Sequence, residues 1–129
     1  MHIVTYEMRE CTRLLKEARG RISEGYAQGN KTYSPITREE YLQFSEGIIR
    51  NLQTGNLKGS ATCLEYLLDL TQRGGEREAE LNRSLRCIET KKWKRAAKAV
   101  IKGRNFKKIN ETIRDLNKSL KETYKRFYL

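Results

Sequence analysis

Apolar residues return every three or four positions along almost the whole chain, and no segment alternates convincingly at a period of two. One face of a helix repeats at about 3.6 residues and one face of a strand at two, so this pattern commits the chain to helices. Met8, Cys11, Leu15, Ala18 and Ile22 predict an amphipathic helix over residues 4–24. Gly25, Gly29, Asn30, Ser34 and Pro35 predict the longest loop. Thr37 followed by Glu40 is a capping box that opens a second helix, with Tyr41, Phe44, Ile48 and Leu52 as its buried stripe. Gly55 and Asn56 end it. A third helix follows on Leu57, Ala61, Leu64 and Leu68, stopped by Gly74 and Gly75. Leu81, Leu85 and Ile88 mark a fourth, and Trp93, Ala97, Val100 and Ile101 a short fifth closed by Gly103. Asn105 is a good N-cap for the last and longest, which carries Phe106, Ile109, Ile113, Leu116, Leu120 and Phe127. The expected fold is all-α, a small bundle of about six helices.

A chain of 129 residues can bury one modest core but not two, so residues 1–129 read as a single domain. Its 33% of charged residues and mean hydropathy of −0.81 are polar for a globule. The regular apolar spacing nevertheless argues against global disorder. Cys11, Cys63 and Cys87 are odd in number, far apart and without a C-x-x-C pair, which predicts neither a disulfide framework nor a zinc site. They fit a reducing, intracellular setting, cytoplasm or nucleus. The amino terminus has no apolar leader region and no window is apolar enough to span a bilayer, so no membrane partner is expected.

Residues Ile48–Leu70 and Ala99–Leu120 share an order of features: helix end, Gly turn, Asn, an apolar residue, then a second helix. They read either as two copies of one hairpin or as chance periodicity between short helices. On the first reading two stacked helical hairpins would bury each other's apolar stripes.

Charge divides the chain sharply. Residues 1–90 form a charge-balanced helical body with 13 basic and 13 acidic side chains. Residues 91–129, the basic C-terminal helices, hold 14 Lys or Arg against Glu111, Asp115 and Glu122, and so carry the whole net charge of +11. The run Lys91–Lys108 contains nine cations and no acid: Lys91, Lys92, Lys94, Arg95, Lys98, Lys102, Arg104, Lys107 and Lys108. A polyanion that releases condensed counterions on binding is the simplest partner for such a run. On a helix, Lys91, Arg95, Lys98 and Lys102 share one face with Lys94 beside them, opposite Trp93, Ala97, Val100 and Ile101. Arg104, Lys107 and Lys108 carry the row across the turn. A solvated cationic face without a ligand is the bland alternative.

Trp93 lies inside the run and has two readings, a base-stacking platform or the apolar anchor of its own helix, the second favoured. Tyr124, Phe127 and Tyr128 divide the same way. The heptad-like stripe of the last helix packs internally by default, with pairing to a second chain, a homodimer or higher oligomer, as the alternative. Catalysis finds little support: His2 sits at the terminus and no nucleophile or phosphate-loop motif is present. Glu76, Glu78 and Glu80 read as a solvated first turn, and Cys63 as a small buried hydrophobe. No cofactor is expected, and the chain reads as no enzyme.

The segment Thr32–Leu70 resembles the central part of the geminivirus pre-coat protein family, through Tyr33, Ser34, Pro35, Thr37, Ile49 and Arg50. The run Val100–Phe106 resembles that family's turn between helices equally well. The Cys/His-rich stretch of the family has no counterpart here. The resemblance implies suppression of RNA silencing, by binding small or double-stranded RNA or a host silencing protein. Independently of it, the charge pattern predicts sequence-independent nucleic-acid binding, and the resemblance is what favours RNA over DNA. A-form RNA is read by shape and backbone, which suits a cationic row presented twice by a dimer. The alternatives are a helical-hairpin module for an acidic protein partner and an architectural DNA-binding protein.

Overall fold

The computed structural model describes residues 3–27 and 35–129, with the side chains of residues 24–27 excepted. Among them every regular element is helical: α1 (Tyr6–Ala27), α2 (Arg38–Gln53), α3 (Leu57–Gln72), α4 (Glu76–Ile88), a π-helical turn (Glu89–Trp93), α5 (Lys94–Lys102) and α6 (Phe106–Tyr128). His2, Gly29, Asn30, Tyr33 and Ser34 lie outside the described residues.

The predicted ends hold where local chemistry sets them. Thr37 accepts from the Glu40 N–H at 3.1 Å, and Glu40 Oε1 accepts from the Thr37 N–H at 3.1 Å, completing the capping box of α2. Asn56 and Asn105 cap α3 and α6 through the N–H groups of Gly59 and Lys108. Gly55 and Gly103, at φ of +79° and +63°, take the left-handed conformation that lets the chain leave α2 and α5 without a Cβ clash. Both predicted hairpins, α2 with α3 and α5 with α6, therefore turn by the same device. They meet along α2 and α6.

Several expectations need correction. The fourth and fifth helices are one: α4 passes through the π turn into α5 with right-handed helical dihedrals throughout, giving five continuous helices among the described residues instead of about six. Ile88 and Trp93 both face inward but lie five residues apart, a spacing an α-helix cannot hold on one face. The wider π turn absorbs the extra residue and restores the phase. Next, α1 continues through Gly25 to Ala27, because one glycine weakens a helix without breaking it. Finally, Glu78 is buried rather than solvated, paired to Arg77 at 2.8 Å.

The core gathers Cys11, Leu14, Leu15 and Ala18 of α1 with Tyr41 and Ile48 of α2, Leu64 and Leu68 of α3, Leu81 and Leu85 of α4 and Ala96 and Ala97 of α5. Leu14, unmentioned by the expected stripe, belongs to it, whereas Met8 is exposed. Ile113, Leu116 and Leu120 of α6 are buried within this chain, but Phe106, expected on the same stripe, is 79% exposed. Tyr41, Tyr124 and Tyr128 form an aromatic cluster with centroids 5.4–6.0 Å apart. Their rings pack on one another and are not free platforms. Cys63 is half-buried rather than buried. No described helix is long and apolar enough to cross a membrane.

Candidate nucleic-acid interface

The α5 segment KRAAKAVIK divides cleanly around its axis, with Ala96 and Ala97 wholly buried and its cations turned outward. Small alanines let α5 lie close against the core, while the longer lysine stems run up its sides. The outward face forms one wall of an open groove of about 500 Å³. Lys91, Lys94, Arg95, Lys98 and Lys102 line it along α5 and the π turn, Lys108 reaches in from the first turn of α6, and Thr5, Glu7 and Met8 at the start of α1 form the opposite side. Six cations thus face one carboxylate. None of the six makes an ion pair among the described residues.

Glu7 supplies one counter-charge to six cations and leaves the groove strongly positive. It lies in the first turn of α1, where a backbone hydrogen bond, assisted by the Thr5 side chain and by Lys102 and Lys98, holds its carboxyl below the ordinary carboxylate range. Thr5 itself caps α1, its hydroxyl accepting from the Met8 N–H at 3.2 Å. Behind the row, burial pushes the Cys11 thiol up, so it stays protonated and unreactive. Lys94–Lys98, Arg95–Lys98 and Lys98–Lys102 are like-charge neighbours at three- or four-residue spacing, each destabilising the isolated helix by about 0.2–0.5 kcal/mol. Glu7 beside Lys98 and Lys102, and Glu111 and Asp115 beside Arg95 and Lys108, relieve this repulsion only in part, since none of them forms an ion pair with the row among the described residues.

The structure sorts the nine predicted cations. Lys91, Lys94, Arg95, Lys98, Lys102 and Lys108 come together in the groove. Lys92 does not, because its Nζ points to α6 and pairs with Asp115 at 2.7 Å, tying the two helices of the hairpin together. Arg104 and Lys107 are exposed at the turn, outside the groove lining. Trp93 offers no stacking surface. It is wholly buried, and its indole N–H donates to Ser60 Oγ at 2.9 Å. The α1 wall was not predicted, and no local signal marks it, since Thr5, Glu7 and Met8 meet α5 only through the packing of the bundle.

Among the described residues, no group of three or more His, Cys, Asp or Glu side chains could hold a metal ion. No family model, curated protein or solved structure matches this chain.

Proposed function

We propose that this chain is a non-catalytic, intracellular protein that binds nucleic acid without reading its sequence, RNA in preference to DNA, through the cations of the α1/α5 groove. The observation that carries the reading is the row of six cations facing one carboxylate, none of them ion-paired among the described residues. Five of the six are lysines, which meet phosphate as point charges and lack the planar fork that reads base edges. With six phosphate contacts, log affinity should fall against log salt with a slope of roughly −4 to −5.5. The resemblance to geminivirus pre-coat proteins supports suppression of RNA silencing as the biological setting of this binding.

The test replaces Lys91, Arg95, Lys98 and Lys102 with Glu and measures RNA binding in a low-salt gel shift. Each position is at or near the surface, so each change should alter stability by only about 0.5 kcal/mol and leave helicity intact. A control chain carries the same charge change at the exposed positions Lys16, Arg50, Lys58 and Arg83. Binding should be lost in the first chain and largely kept in the control. Retained binding in the first, or equal loss in both, refutes the assignment.

A further inference from the structure

A second line of cations runs along α6, and it is not part of the groove. Lys107, Arg114, Lys118, Lys121 and Lys125 are all exposed, and none makes an ion pair among the described residues. At 100° per residue they fall within about a sixth of the helix circumference, diametrically opposite the buried Thr112, Ile113, Leu116, Leu120 and Thr123. No acid lies inside that arc. The acids of α6 stand to one side of it: Asp115 pairs with Lys92, and Glu111 and Asp115 line the seam between the two helices together with Arg95 and Lys108. That seam fixes the direction of α5 as seen from α6, about a quarter turn from the ridge. From α5, in turn, α6 lies about a quarter turn from the groove face, on the side of Lys92. Because the helices are antiparallel, both quarter turns bring the cations to the same outer side of the hairpin.

We infer that the α6 ridge is a second phosphate-contacting line, and that the groove row and the ridge together hold the two backbones of a nucleic-acid duplex. This rests on the nucleic-acid reading above and decides strandedness within it. Packed helix axes lie about 8–10 Å apart, so the two rows run side by side as separate lines of charge, each able to follow one backbone across the wide, shallow minor groove of an A-form duplex. From Lys107 to Lys125 the ridge extends about 27 Å. A single strand follows one line of charge and needs only one of the rows. The seam between them carries Glu111 and Asp115 and is less cationic than either row, which suits a groove floor, where bases and not phosphates lie. A single chain thus presents two cationic rows without a dimer.

The experiment compares wild-type protein with a variant carrying Arg114→Gln, Lys118→Gln, Lys121→Gln and Lys125→Gln, using duplex RNA and one of its strands as separate ligands across a salt series. The ridge variant should lose duplex affinity, with the duplex salt slope reduced by roughly 3, while single-strand affinity stays within about twofold of wild type. Equal losses on both ligands overturn the inference, because the ridge would then be an undifferentiated extension of one site. Unchanged affinity on both overturns it as well. Loss of binding to an acidic polypeptide such as polyglutamate, with duplex affinity retained, would overturn it in favour of a protein partner. The groove variant separates the two levels: if it binds both RNAs as wild type does, the nucleic-acid reading falls, whereas a failed ridge variant removes the duplex assignment alone.

Discussion

Ser60→Ala should destabilise this protein by about 2 kcal/mol, because it leaves the indole N–H of Trp93 unpaired inside a closed core. Trp93 is the only tryptophan, is wholly buried, and donates to Ser60 Oγ at 2.9 Å, while that hydroxyl donates to the Ile48 carbonyl at 2.9 Å. Removing the hydroxyl takes away the acceptor, whereas the Ile48 carbonyl keeps its place in the hydrogen-bond ladder of α2. An orphaned buried donor costs about 1–3 kcal/mol. For a chain of 129 residues the unfolding entropy is about 0.27 kcal/mol/K, so the melting temperature should fall by about 4–11 °C. Urea denaturation followed by Trp93 fluorescence measures the loss, and circular dichroism follows the variants that lack the indole. In a Trp93→Phe background, Ser60→Ala should cost less than about 0.5 kcal/mol, giving a coupling energy of about 1–2 kcal/mol. A midpoint shift below about 2 °C, or additive effects in the double variant, would refute the hydrogen bond. Trp93→Phe should also bind RNA within about twofold of wild type, since a buried ring cannot stack on a base.

Two further outcomes test the core and its buried charge. Ile113→Asp with Leu116→Asp should unfold the chain, because both side chains are buried within it and unpaired buried carboxylates cost several kcal/mol; a folded monomer by light scattering and circular dichroism would show the stripe to be a subunit contact instead. Glu65 is buried, and although Arg19 Nε approaches its Oε1 to 3.2 Å, that oxygen has no hydrogen-bond partner among the described residues. Burial first, and Glu89 nearby, push the Glu65 carboxyl above its ordinary value of 4.5, against the pull of Arg19. The native state therefore takes up this proton more readily than the unfolded chain, and the Glu65 contribution to stability declines as pH rises from 4.5 through the raised value. Glu65→Gln should raise the melting temperature at pH 7 and converge with wild type below pH 4.5; equal destabilisation at every pH would contradict this.

What the amino-acid sequence determined by itself is everything governed by neighbours a few residues apart. The 3.6-residue repeat, the Thr37–Glu40 box, the Asn56 and Asn105 caps and the left-handed Gly55 and Gly103 act through short-range hydrogen bonds and sterics. They specify an all-α chain and its turns before any packing occurs. The concentration of charge after residue 90 is equally legible, and so is the outward row of Lys91, Arg95, Lys98 and Lys102. Tertiary structure decided which of those charges act together. Lys92 is withdrawn by Asp115, 23 residues away, Lys108 is brought into the groove by the turn at Gly103, and the opposing wall comes from α1, more than 80 residues earlier. The break inferred between Ile88 and Trp93 became a π turn for a similar reason. Burying both residues against the same core is worth more than keeping ideal α geometry, and only the assembled core can set that balance. Helical phase is local, but the direction in which a face points depends on what the helix packs against. That is why the ridge on α6 and the groove on α5 can be placed on one side of the molecule only after folding.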